Sequence, residues 1–176
     1  MRQLQLEELG RVDADAYKAL PKIPLIMALD NIRSGHNVGS VFRTADAFRI
    51  QEVVLGGYTP CPPDTEIQKT ALGANEVVKW EHTSDFIQKL KNLKAEGYTL
   101  LAAEQTDKSC SLFDFKPNSD AKYVLILGNE VRGVSPEVLA LCDMAIEIPQ
   151  EGTKHSLNVS VAAGILMWSF YQALAR

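Results

Sequence analysis

The sequence predicts an α/β fold, a mostly parallel sheet with helices on both faces. Three observations lead there: short apolar runs bounded by turn residues, helical periodicity between those runs, and strands that are apolar almost throughout rather than alternating. A strand of that kind buries both its faces, and covering helices provide the burial. In such sheets ligands bind at the carboxyl ends of the strands, so the turns there are the segments to search for chemistry.

The elements follow in order. Leu4, Leu6, Leu9, Val12, Ala16, Tyr17 and Leu20 recur at mostly helical spacing, which predicts an amphipathic helix over 3–19, ended by Pro21 and Pro24. Leu25-Ile26-Met27-Ala28-Leu29, between Pro24 and Asp30, is a buried strand. Val38 to Phe48 has helical periodicity, and Val53-Val54-Leu55 is a strand stopped by Gly56-Gly57. Residues 58–75 hold three prolines and read as a long loop with one helical turn near Ile67; loops of that length are often functional. A short strand is expected over Glu76 to Trp80. Asp85 to Ala95 is a helix with Ser84 as N-cap and Gly97 just past its end. Tyr98 to Ala103 is a strand, and Tyr123-Val124-Leu125-Ile126-Leu127 the clearest buried strand. Pro136 to Leu141 is a helix with Ser135 as N-cap. Ala145 to Ile148 is the last strand and Leu157 to Leu174 the last helix. The expected organisation is a helical extension over 1–24 and one domain over 25–176.

Composition narrows the class. The chain has 176 residues, 46% hydrophobic and 23% charged, enough for a single well-filled core. The first residues carry no apolar signal region and no run is long enough to cross a bilayer, so a cytoplasmic protein with no membrane partner is expected. Cys61, Cys110 and Cys142 are odd in number and, like His36, His82 and His155, lack metal-ligand spacing. Reduced thiols and no metal follow. The net charge of −4 opposes a bulk electrostatic nucleic-acid binder, so any RNA contact must rest on a local basic patch.

Three blocks carry candidate chemistry. Asp30 to Ala47 follows the first strand and opens a helix, where free N–H groups and the helix dipole suit an anion. Arg33, Arg43 and Arg49 make it the basic part of an acidic chain, though an ordinary capped helix with solvated arginines fits it equally. Gly128-Asn129-Glu130-Val131-Arg132-Gly133 follows the strongest strand, and its glycines allow close backbone approach. A plain strand-to-helix turn is the competing explanation. Ile148 to Ile165 is a polar loop leading into a helix rich in small residues, with Ser156 as a natural N-cap and Asn158 in the first turn. Those small residues permit close packing against the core or a dimer partner. A capped buried helix accounts for Val159 to Ile165 but not for Gln150 to His155. No Walker loop, Gly-x-Gly-x-x-Gly fingerprint or Gly-x-Ser-x-Gly elbow occurs, which argues against phosphate-loop enzymes, dinucleotide-dependent oxidoreductases and serine hydrolases.

Taken together and in this order, the blocks resemble the SpoU (TrmH-like) branch of the SPOUT RNA methyltransferases, over roughly residues 25–174. Asn37, Gly39 and Arg43 match its first motif. Leu127-Gly128-Asn129-Glu130 with Gly133 match the second, and Ile148-Pro149 with Ser156-Leu157-Asn158-Val159-Ser160 the third. The resemblance implies a C-terminal trefoil knot, an S-adenosylmethionine pocket formed by it, and a homodimer with a composite site. It implies that the backbones of Gly128, Ile148, Leu157 and Ala103 hold the cofactor. Arg43, Asn37, Glu130, Ser156 and Asn158 would be the catalytic and site-shaping residues. The implied reaction methylates a ribose 2′-hydroxyl of RNA. About 24 residues precede the first strand and no basic tail follows the last helix, which points to tRNA, with a D-loop guanosine as a candidate, before rRNA. A non-catalytic RNA-binding protein of the same fold is the alternative. Arginine is an awkward base because a guanidinium holds its proton tightly, so Arg43 is expected to orient an RNA phosphate and the hydroxyl, and to act as base only if its charge is strongly perturbed.

Overall fold

The computed structural model describes residues 1–175; Arg176 and the side chain of Leu6 lie outside the described residues. The strands are β1 (Ile23–Asp30), β2 (Ile50–Gly56), β3 (Trp80–Thr83), β4 (Tyr98–Ala103), β5 (Cys110–Ser111), β6 (Lys122–Leu127) and β7 (Met144–Glu147). The helices are α1 (Ala14–Ala19), α2 (Gly35–Ala47), α3 (Thr65–Ala71), α4 (Ala74–Val77), α5 (Phe86–Ala95), α6 (Pro136–Leu139) and α7 (Val159–Leu174). The strands form one sheet in the order β3-β2-β1-β6-β4-β7-β5, and each of its pairs is parallel. The mostly parallel sheet expected from the apolar runs is therefore present.

Side chains alternate between two cores. Leu25, Met27, Leu29, Val53, Leu55, Leu101, Leu125 and Leu127 pack with α2, α3 and α7 on one face. Ile26, Ala28, Val54, Leu100, Ala102, Val124 and Ile126 pack with α5 and α6 on the other. That division is why the strands read as continuous apolar runs. Phe170 of α7 is fully buried, 5.2 Å from Tyr123 and 5.6 Å from Phe115 between ring centroids, and it clamps the last helix to the sheet.

The register levels the strand ends. Leu29 lies opposite Leu55 and Leu127, Leu127 opposite Ala103, and Ala103 opposite Ile146. The turns after β2, β1, β6, β4 and β7 thus leave the sheet in one row. The strand order reverses beside β1 and β6, which is where a ligand crevice forms in such sheets.

Four expectations need correction. The helix over 3–19 is two pieces, a 3-10 turn at Leu6–Leu9 and α1, because Gly10 is left-handed (φ 60°) and Asp13 caps a new start. Leu4, Leu9 and Val12 are exposed, so no core draws that stretch into one helix. The strand over Glu76 to Trp80 begins only at Trp80. Leu72 and Gly73 both take positive φ and restart the chain as α4. β3 is an edge strand of mixed polarity with a weak apolar signal. The 58–75 loop contains all of α3. Finally, the helix caps shift: Asp85 rather than Ser84 caps α5, and Asn158 rather than Ser156 caps α7. β5, two residues long, has too little pattern to be seen in the sequence.

Candidate active site

The site grows from four turns in that row. β1 ends on Asp30, which is 2% exposed. Its carboxylate accepts hydrogen bonds from Asn31 Nδ2 (2.8 Å), Ser135 N (2.8 Å) and Ser135 Oγ (2.7 Å), tying the end of β1 to the start of α6. A buried carboxylate is tolerated only with such partners. Asn31 is left-handed (φ 55°), and Ile32 N donates to Thr59 Oγ1 (3.0 Å), locking the turns after β1 and β2 together.

The turn after β6 closes on itself. Asn129 N donates to Gly133 O (3.0 Å) and Gly133 N to Asn129 O (2.8 Å). A Cβ on Gly128 would lie 2.1 Å from Gly133 C, and one on Gly133 (φ 71°) 2.2 Å from Glu104 Oε2. Glycine is required at both places. Asn129, 6% exposed, accepts from Val131 N and Arg132 N (both 3.0 Å) and donates to Asn31 O (2.7 Å), so it positions the whole turn.

That turn presents Glu130 to the start of α2. Its Oε2 accepts from Arg33 N (2.9 Å); its Oε1 accepts from Ser34 N (3.2 Å) and Asn37 Nδ2 (2.9 Å). Burial pushes the Glu130 carboxyl up, but the hydrogen bonds from Arg33 N, Asn37 and Ser34 N outweigh burial and hold it below its usual 4.5. Asn158, at the start of α7, caps its helix through Oδ1, accepting from Ser160 N (2.9 Å), and its Nδ2 donates to Asn37 Oδ1 (3.2 Å). Asn158, Asn37 and Glu130 form one continuous hydrogen-bonded chain. The three sequence blocks are brought together through side chains up to 121 positions apart.

Beside that chain lies a cavity of about 730 Å³ lined by Ala103, Gly128, Glu130, Ile148, Ser156, Leu157 and Asn158. Leu139, Ile146 and Ala162 supply an apolar wall. Neither the N–H nor the C=O of Ile148 or Leu157 has a hydrogen-bond partner among the described residues. An apolar wall with free backbone donors and acceptors suits a flat heteroaromatic ligand with polar edges, and the volume is that of an ordinary small-molecule site. Arg43 does not join this arrangement. It is exposed on α2, lines no part of the cavity, and makes no ion pair among the described residues. Nor do Arg33 or Arg132, exposed at the rim, make one. His155 lends only its carbonyl, accepting from Gln105 Nε2 (3.0 Å).

The sequence did not reveal the positioning roles of Asp30, Thr59, Asn129 and Glu104, whose Oε2 accepts from Val134 N (3.0 Å). Asp30 alone left a signal, an acid closing a wholly apolar run. The others depend on contacts between distant segments. Among the described residues no group of three or more His, Cys, Asp or Glu could hold a metal ion, and no helix is long and apolar enough to cross a membrane.

A parallel sheet with a cavity of small-molecule size at its strand ends is the frame of an α/β ligand-binding protein. The chain belongs to the SpoU rRNA Methylase family, whose model matches residues 24–168. It is similar to the 23S rRNA (guanosine-2′-O-)-methyltransferase RlmB of Neisseria meningitidis, with 31% identity over 153 residues, 87% of this chain and 60% of that relative. The chain thus spans about three fifths of that relative's length. The fold is also that of the TrmH/SpoU tRNA modifying enzyme of A. aeolicus (TM-score 0.81, 28% identity, 91% of this chain and 80% of that one). An AdoMet-bound rRNA methyltransferase from Sinorhizobium meliloti is a further neighbour (TM-score 0.77, 27% identity, 89% and 59%).

Proposed function

We propose that this chain transfers a methyl group from S-adenosylmethionine to a ribose 2′-hydroxyl of RNA, tRNA before rRNA, as a cytoplasmic homodimer. The observation that carries the reading is the Asn158–Asn37–Glu130 chain at the rim of the cavity, which unites the three family motifs. The relatives named for guanosine 2′-O-methylation and tRNA modification, and the AdoMet-bound neighbour, support it.

The backbones of Gly128, Ile148 and Leu157, with Ala103, would hold the cofactor against the apolar wall. Bound there, S-adenosylmethionine supplies an electrophilic methyl. Glu130 is a positioning anion rather than a base: its oxygens already accept three hydrogen bonds, and its lowered pKa weakens it as a proton acceptor. It holds Asn37, and Asn37 with Asn158 and Ser156 offers amide and hydroxyl groups to the ribose. Arg43 is a donor only in its ordinary charged form; with Arg33 and Arg132 it provides the local positive charge for RNA phosphates in an acidic chain. β7 inserts between β4 and β5, which are consecutive in the chain, and this supports the knotted topology. The expected division into an extension over 1–24 and a methyltransferase domain over 25–176 shifts by two residues, because β1 already begins at Ile23; Arg176 lies outside the described residues.

The dimer reading rests on α7. Val161, Ile165 and Trp168 are 51%, 37% and 49% exposed at i, i+4 and i+7, an apolar stripe that a second copy would cover. Calorimetry with S-adenosylhomocysteine tests the cavity, and mapping 2′-O-methyls in total RNA from a strain lacking the gene tests the reaction. No S-adenosylhomocysteine binding together with an unchanged methylation map would remove the proposal.

A further inference from the structure

The turn after β2 presents a group that the proposed reaction has not used. Tyr58 is 59% exposed, yet it is anchored at both ends. Its N–H donates to Asn31 Oδ1 (3.2 Å), and its hydroxyl accepts from Asn129 Nδ2 (2.9 Å). The turn beneath it is rigid. Gly57 is left-handed (φ 63°), a Cβ there would meet Asn31 Oδ1 at 2.1 Å, and Thr59 Oγ1 donates to Gly56 O (2.7 Å). The other hydrogen of Asn129 Nδ2 goes to Asn31 O, so the Tyr58 hydroxyl receives a bond and donates none among the described residues. Next to it, Glu130 holds the Asn37 amide, and Val131 is 73% exposed.

An exposed ring costs little to immobilise when it is already fixed, and it gains by stacking. Bases of single-stranded RNA are recognised by such rings, whereas bases inside a duplex present no face to them. We propose that Tyr58 is the stacking platform for an unpaired nucleobase of the RNA, with its free O–H donating to that nucleotide. The substrate of the site is then a loop, bulge or end rather than a duplex. This rests on the methyltransferase reading and extends it to the substrate's form.

The test is methyl transfer from radiolabelled S-adenosylmethionine into total RNA from a strain lacking the gene, with wild type, Tyr58→Ala, Tyr58→Leu and Tyr58→Phe. Loss of one base stack predicts a KM for RNA about tenfold or more higher in the Ala and Leu variants, with kcat changed much less. Tyr58→Phe stays within about threefold of wild type, because the ring carries most of the contact. S-adenosylhomocysteine affinity and sedimentation are expected to match wild type, and the unfolding temperature to fall by no more than about 4 °C in any of the variants, the loss of the one hydrogen bond from Asn129. An unchanged KM in Tyr58→Ala would overturn the proposal. So would Tyr58→Phe failing as badly as Ala, a loss of S-adenosylhomocysteine binding, or a changed oligomeric state, since each makes Tyr58 a brace or a subunit contact. Absence of any transfer by wild type overturns the methyltransferase reading and this inference with it.

Discussion

Removing the Glu130 carboxylate tests the central contact of the site. Glu130→Ala strips acceptors from Arg33 N, Ser34 N and Asn37 Nδ2 at once. The bonds are exposed or half-buried, so water reclaims much of each, and about 0.5–1 kcal/mol per bond is a fair measure. The expected cost is about 1.5–3 kcal/mol, which in a domain of this size lowers Tm by about 3–12 °C. Glu130→Gln keeps an acceptor but loses the charge, so its loss is smaller. The pH dependence separates charge from shape. The folded pKa of Glu130 lies below its usual 4.5. A lowered folded pKa means stabilisation that is complete above the unfolded value and lost as pH falls through the folded one. The Tm gap between wild type and Glu130→Gln is therefore constant from neutral pH to about 5 and closes at lower pH, where the wild-type side chain is itself neutral. Thermal unfolding followed by circular dichroism from pH 7 to 3 measures it, and other carboxylates cancel in the difference. A gap that is absent at pH 7, or that persists undiminished at acid pH, would refute the reasoning.

Four further outcomes follow from the same geometry. Phe170→Ala empties a fully buried ring site between Tyr123 and Phe115; a loss of about 3–5 kcal/mol in denaturant unfolding is expected. Gly133→Ala forces a Cβ against Glu104 Oε2 in a left-handed turn; it costs about 1–3 kcal/mol and weakens S-adenosylhomocysteine binding in calorimetry, because the turn lines the cavity. Arg43→Lys keeps the charge but loses the planar fork; single-turnover methylation slower than wild type by tenfold or more places Arg43 at the reacting ribose, and a near-native rate removes it from the chemical step. Trp168→Glu puts a charge in the exposed stripe of α7; sedimentation should show dissociation to monomers with the sheet intact by circular dichroism.

The sequence by itself determined the class of fold and the three turns that matter. Strands such as Tyr123 to Leu127 are apolar on both faces, and that pattern is local, readable from consecutive residues. The glycines of the second motif and the polar starts of α2 and α7 are likewise local, because turn geometry and capping select residue types over a few positions. It could not show that Asn37 bonds both Glu130 and Asn158, that Asp30 is shared with Ser135, or that Asn129 braces the turn after β1. Those bonds join residues about 90 to 120 positions apart, and only the parallel register that levels the strand ends decides which side chains meet. The same limit separates Arg43 from its motif. Six residues beyond Asn37 on α2, it stands about 9 Å further along the helix, outside the residues that line the cavity. Short and edge elements fell on the tertiary side too: β5 is too brief for periodicity, and the break at Gly10 depends on no core being present to straighten the chain.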